Sequence, residues 1–406
     1  MAFHFSHPGN LFSLKRNPDK MKVMILGVDG YIGWPLALRE LLKGNEVVGV
    51  DNFFTRKRVK EVNSQSVTPI PSFQLRLNKL KEKTGKSMTF YRGDVADPRF
   101  FIDVMRKEKP DAIVHLAEQR SAPYSMRGLK QATDTMVKNI VSTLNLVYAV
   151  KDAAPDTHIL KLGTMGEYGT PNIDIPEGFF DIEYNGRKDH LPFPKNAGSW
   201  YHWTKVHDSN NLMFANRVWN LSVTDVMQGV VYGTRIDEIA ETGLYTRYDI
   251  DEVWGTVLNR FCAQAVSGLP ITPYGEGGQT RGFLPLEDSV TCLAIALENP
   301  PGDGEYRVFN QFDKAYSVNY LAERVKEIYE REFGKSAEIR HIDNPRVERE
   351  SHYYHPVNEN LKKLGYRSKR TLDEEILHML QDLQQFVPRI RKLSGTIMPR
   401  TFWKAP

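Results

Sequence analysis

The run "KVMILGVDGYIGWPLALRELLKG", Lys22–Gly44, constrains this chain more than any other stretch. A short apolar segment meets glycines at 27, 30 and 33, and an amphipathic helical pattern follows at once. Glycines at that spacing let the backbone turn tightly and approach a pyrophosphate, and the helix N-terminus offers free amides to the anion. A second apolar run, "EVVGV" (46–50), ends in Asp51. A carboxylate at that strand tip accepts hydrogen bonds from ribose hydroxyls and repels a 2′-phosphate, which favours NAD over NADP. The basic run Arg56-Lys57-Arg58 argues the other way, but it reads as a loop. The expected cofactor contacts are Gly27, Gly30, Tyr31, Ile32, Gly33, Asp51 and Asn52, with Asp94 and Val95 of "GDV" at the adenine edge.

Further strands are predicted at 88–95, 111–117, 157–164 and 221–228, with helices at 129–150 and 199–218 between them. Alternating strands and helices predict an α/β fold, a Rossmann-type doubly wound parallel sheet. The gap 53–87 is long for a crossover and carries "FQLRLNKLKEKTG", an inserted helix. Beyond residue 230 proline and glycine interrupt the rhythm, and helices are predicted at 316–333 and 372–387. The expected division is a tail over 1–20, an NAD-binding domain over 21–230, and 231–406 mostly as a smaller C-terminal lobe that binds the nucleotide sugar. No apolar run nears the roughly 18 residues that span a bilayer, so no membrane association is expected. The formal charge of +4 is scattered, which gives no nucleic-acid surface. Two cysteines in unrelated contexts, Cys262 and Cys292, fit a reducing, cytoplasmic setting and no metal site.

"GSWYHWTKVHDSNN" (198–211) holds Tyr201 and Lys205 at i and i+4, on one helix face. A free phenol has a pKa near 10. An ammonium beside it stabilises phenolate, and a shift to about 7 needs roughly 4 kcal/mol. Such a phenolate can take a proton from a sugar hydroxyl while hydride leaves the same carbon for nicotinamide. Lys205 can also hold the nicotinamide ribose. Thr164, at the end of the fifth strand, can hydrogen-bond the reacting sugar oxygen.

Glycine turn, strand-end acid, threonine and Tyr-x-x-x-Lys together resemble the extended short-chain dehydrogenase/reductases that modify nucleotide sugars. The resemblance covers residues 21–390. Within that group the runs "HLAEQRSAPYSM", "LGTMGEYGTPNIDIPEG", "YHWTKVHDS", "YGEGGQTRGFL", "FNQF" and "NPRVERESHYY" are similar to the UDP-sulfoquinovose synthase family. That resemblance implies UDP-glucose and sulfite as substrates, tightly held NAD recycled in the site, and a homodimer. It implies oxidation at C4, loss of water across C5 and C6, addition of sulfite at C6, and return of the hydride. Related dehydratases carry Thr-Asp-Glu where this chain has Thr164-Met165-Gly166, so Glu167 and His202 stand as candidates for the elimination. Arg281, Arg346 and Gln228 match diphosphate-binding positions, and Arg120 is a candidate for sulfite or sugar orientation. A 4-epimerase, a 4,6-dehydratase or a non-catalytic NAD sensor are the alternatives.

Overall fold

The computed structural model of this protein describes residues 20–347 and 351–403. The expected tail lies outside them except for Lys20.

The short apolar runs become buried parallel strands. In chain order the strands are β1 (Lys22–Leu26), β2 (Glu46–Asp51), β3 (Thr89–Arg92), β4 (Ala112–His115), β5 (His158–Leu162), β6 (Phe179–Tyr184), β7 (Arg187–Pro192), β8 (Val223–Gln228), β9 (Val230–Tyr232), β10 (Thr280–Pro285), β11 (Tyr306–Gln311) and β12 (Lys314–Ser317). Seven of them form one sheet in the order β11-β8-β5-β4-β1-β2-β3. Every neighbouring pair in that sheet is parallel. Strand order reverses between β1 and β4, and the crevice beyond the carboxyl ends there is where such sheets bind ligands. Apolar clusters cover both faces, one around Ile25, Trp34 and Leu160 and the other around Met24, Ile113 and Leu212.

Several elements depart from the sequence reading. The sheet does not close at residue 230, because β11 supplies its edge strand beside β8. Helix Leu286–Glu298 also returns to pack against helix Gly33–Lys43. The basic run 56–58 lies on a helix, Phe54–Glu61, rather than in a loop. Finally, β6 and β7 form a hairpin turned by Asn185 and Gly186, both at positive φ, as a two-residue turn of this hand requires.

The remaining residues build a small sheet, β12-β10-β9, over a second core that includes Phe261, Leu321, Ile376 and Leu380. Strand β10 carries Arg281 to the mouth of the crevice. Cys262 and Cys292 are buried and free. Among the described residues no helix is long and apolar enough to cross a membrane.

Candidate active site

A cavity of about 820 Å³ runs along the carboxyl ends of the strands, from Gly27 and Asp51 to Arg346 and Trp403. Its first end is the glycine turn. The Gly27 amide donates to the Val50 carbonyl at 2.8 Å. Gly27 has φ +86°, and a Cβ on it would meet the Leu116 carbonyl oxygen at 2.7 Å. Only glycine permits that turn. Asp51 accepts from the amides of Asp29 (2.9 Å) and Phe53 (2.7 Å). Burial, then the neighbouring Asp29 charge, push its carboxyl up to about 6. Gly30, Tyr31, Ile32, Gly33, Asn52, Asp94 and Val95 line the same end. Arg56 does not face a phosphate there. Its guanidinium grips Asp29 through two bonds, 2.5 and 2.7 Å, and Arg58 pairs with Asp134. A dinucleotide with free ribose hydroxyls therefore fits this end: the turn has no room for a Cβ and the strand-tip acceptor is Asp51.

The middle of the cavity gathers Thr164, Tyr201, His202 and Lys205. Ser199 caps helix Trp200–Trp219 by accepting from the His202 amide, and the Ser125 hydroxyl accepts from the Tyr201 amide at 3.1 Å. These bonds fix the first turn, so Tyr201 and Lys205 open onto one space. Thr164 begins a single 3₁₀ turn, and its hydroxyl oxygen accepts from the Gly166 amide at 3.1 Å. Its own hydrogen remains to be donated.

The electrostatics differ from the sequence reading. Lys205 was expected to pull the phenol toward neutrality. Instead its ammonium donates to the Leu162 carbonyl at 2.7 Å and pairs with Glu118. Burial, then the Glu118 and Glu167 carboxylates, push the Tyr201 phenol up, while Lys161 and Arg120 oppose them. The Glu118 carboxylate also sits 3.2 Å from His115 Nε2 and lines the cavity.

Glu167 requires a correction. Fully buried, it is not among the residues that line the cavity. Its carboxylate receives Lys195 at 2.6 Å, Ser209 at 3.0 Å, Lys161 at 3.2 Å and the Thr164 amide at 3.2 Å. The 3₁₀ turn aims it into the protein, where Lys161 and Lys195 hold its carboxyl well below the usual range. It holds the Thr164 amide from behind the cavity wall. His202 does face the cavity, with Nδ1 3.0 Å from the Ser199 hydroxyl. Burial, then Arg346 and Arg281, depress its imidazole to about 4. It is thus neutral at pH 7, and the same surroundings disfavour its protonated form. Gly166 makes room for it, since a Cβ there would lie 2.6 Å from the ring.

The far end is cationic. Arg260, Arg281 and Arg346 all line it. Arg281 donates to the Thr280 carbonyl at 2.7 Å and lies 2.5 Å from His352. Burial, and then Arg260 and Arg281 beside it, lower the Arg346 guanidinium to about 10. Three like charges converging there, Arg260 buried and the other two half-buried, fit an anionic ligand. Gln228 lines the cavity with its amide nitrogen committed to Ser289 and Gln311. Arg120 is held by Asp249 (2.7 Å) and the Trp254 carbonyl (3.0 Å).

A profile of the NAD dependent epimerase/dehydratase family matches residues 23–310. The chain belongs to the NAD dependent epimerase/dehydratase family. Among members of this family, it is 51% identical over 387 residues to the UDP-sulfoquinovose synthase of Sulfolobus acidocaldarius, covering 95% of this chain and 98% of that one. It is 44% identical over 401 residues to the chloroplastic UDP-sulfoquinovose synthase of Spinacia oleracea, covering 98% and 81%. The fold matches a UDP-glucose 4-epimerase of Thermotoga maritima solved with UDP-glucose, with a TM-score of 0.68, 20% identity, and coverage of 90% of this chain and 99% of that one. Among the cavity residues of this family member that the sequence reading missed are Glu118, Arg260 and Trp403. Glu118 lay inside a motif already noted, and a carboxylate directly after "HLA" was its available signal. Arg260 and Trp403 reach the cavity only through the tertiary fold. Residues 348–350 of "NPRVERESHYY" lie outside the described set.

Proposed function

We propose that this protein is a UDP-sulfoquinovose synthase, converting UDP-glucose and sulfite to UDP-sulfoquinovose through 4-keto and 4-keto-5,6-ene sugars. The observation that carries this reading is one continuous cavity that joins the glycine turn, Thr164, Tyr201 and Lys205, and the arginine end. The 51% identity over nearly the whole chain selects this chemistry from those the fold can host. NAD, when bound, supplies the hydride acceptor for C4 and returns the same hydride at the end.

The residues divide the remaining work. Tyr201 takes the C4 hydroxyl proton and later gives it back. Thr164 donates to the same oxygen, and Lys205 holds the nicotinamide ribose. The 4-ketone acidifies the C5 proton, and His202, neutral and facing the cavity, takes it. His202 passes that proton to the C6 hydroxyl, which leaves as water. Sulfite, adding through sulfur at C6 as bisulfite, brings the proton that C5 regains. Arg120 orients the sulfite or the sugar, and Arg281 and Arg346 take the diphosphate; Gln228, its two amide hydrogens held by Ser289 and Gln311, has none left to donate to it. Exposed Val137, Leu144, Phe214 and Val218 on helices Leu129–Ala153 and Trp200–Trp219 support a homodimer through a helical bundle. The two free buried thiols support a cytoplasmic setting.

Incubating the purified protein with UDP-glucose, with and without sulfite, separates the chemistries by product mass. A sulfonated sugar nucleotide formed only with sulfite is expected. An unsulfonated isomer, or a dehydrated product that accumulates with sulfite present, overturns the proposal.

Two variants probe the division. Glu118→Gln removes a carboxylate that raises the Tyr201 phenol and occupies Lys205. The phenol pKa then falls, so the acidic limb of the pH profile for C4 oxidation moves to lower pH. An unmoved limb would show that Glu118 does not govern the phenol. Gly166→Ala drives a methyl group into the His202 ring. C5 hydrogen exchange is expected to fall on the order of 10²-fold, with C4 oxidation kept within a few-fold. Equal losses in both steps would remove His202 from the elimination.

A further inference from the structure

The segment after helix Val387–Leu393 ends at the cavity, which Trp403 lines. Ile397 is buried in the second core. The Glu252 amide donates to the Thr396 carbonyl at 2.9 Å. The Glu252 carboxylate then receives the amides of Arg400 (2.7 Å) and Thr401 (3.1 Å) and the Thr401 hydroxyl (3.3 Å). Two residues later Trp403 donates its amide to the Pro345 carbonyl at 3.1 Å, and its side chain lines the arginine end of the cavity. Glu252 itself is not among the lining residues.

At that end the Arg346 guanidinium carbon lies 5.5 Å from the centroid of the Trp403 ring and 6.0 Å from that of Tyr274. Two π faces hold the planar cation, an attraction that strengthens when the pair is desolvated. Arg346 Nε, the Tyr274 hydroxyl and Gln279 Oε1 are buried around it, with no hydrogen-bond partner among the described residues. Buried polar atoms left unpaired cost free energy. Two donors and one acceptor at one end of a cavity therefore call for a polar ligand there.

We propose that Trp403 is a positioning residue for nucleoside diphosphate binding: Glu252 latches the 397–403 strap, and the indole fixes the Arg346 fork toward the diphosphate. This rests on the reading that the substrate is a nucleoside-diphosphate sugar. The strap holds the substrate without touching the reacting carbons, so its loss changes binding and not chemistry.

The test compares Trp403→Ala, Trp403→Phe and Glu252→Gln in the full chain. UDP binding is measured by calorimetry, and KM and kcat with UDP-glucose and sulfite. Trp403→Ala is expected to weaken UDP binding and raise the UDP-glucose KM by a common factor, on the order of tenfold. The kcat and the KM for sulfite stay within twofold. Trp403→Phe restores most of the affinity, and Glu252→Gln reproduces part of the loss, which keeps the test decisive if Trp403→Ala does not fold. Unchanged UDP affinity in both Trp403→Ala and Glu252→Gln overturns the proposal, as does a loss confined to kcat. A wild-type protein that binds UDP but makes no sulfonated product would instead sink the catalytic reading, leaving the strap to be judged by calorimetry alone.

Discussion

Tyr201→Phe is expected to lower the rate of C4 oxidation about 10³-fold, within the range that a positioned acid–base group contributes. The substitution keeps the ring, and with it the contact to His202 at 5.0 Å between centroids. Only the group that accepts the sugar proton is lost. The protein rests with that phenol protonated, because burial, Glu118 and Glu167 all raise it. The wild-type rate should therefore climb as pH rises, and the variant should lose that dependence along with the rate. UDP binding should be unaffected, since the diphosphate end lies with Arg281 and Arg346. Absorbance of the reduced nicotinamide in a single turnover measures the step. A loss under tenfold would take Tyr201 out of the role of base.

The second large effect lies behind the cavity. Lys161 is a fully buried lysine on β5. Its ammonium lies 3.2 Å from Glu167, 3.1 Å from Asp225 and 3.0 Å from the Ser209 hydroxyl, and it donates to the Lys205 carbonyl at 3.3 Å. It thus joins the strand, the Thr164 turn and the tyrosine-bearing helix. Lys161→Met leaves two carboxylates buried without this partner, and about 3–5 kcal/mol of stability is expected to go with it at pH 7. The sign of the pH dependence follows from Glu167. Lys161 and Lys195 depress its folded-state carboxyl, so its stabilisation is present above its unfolded pKa and is lost as pH falls through the folded value. In the variant the buried carboxyls can take up protons, so the deficit against wild type should shrink from pH 7 to pH 5. Urea unfolding at the two pH values measures this. A deficit below about 1 kcal/mol at pH 7 would mean that the network is not structural.

What could be read in the sequence was what backbone geometry or a single element fixes. The turn at Gly27 admits no side chain, so its pattern had one reading. Tyr201 and Lys205 share a face because a helix puts i and i+4 together. The buried strands announced themselves as apolar runs. The rest depended on long-range assembly. Strand β11 carries Arg307 and follows a proline-glycine loop, so nothing local marked it as the sheet's edge. Glu167 is one residue past the position that would face the cavity, and it closes a capping box with Thr164, a Thr-x-x-Glu signal that the sequence reading did not use. Lys205 had two available partners, and the spacing revealed only the phenol. Glu118 comes from another strand end and was invisible to helix periodicity. The lysine within "HILKL" was a readable anomaly, because a cation in a buried strand needs carboxylates around it.

The central claim is that one cavity oxidises C4, lets the sugar lose water and take sulfite, and then restores the hydrogen it removed. UDP-glucose carrying deuterium at C4, incubated with the protein and sulfite without added NAD, tests it directly. The account predicts UDP-sulfoquinovose that keeps the deuterium at C4. A sulfonated product with hydrogen at C4 would contradict it, as would deuterium released in step with turnover or recovery of unsulfonated sugar alone.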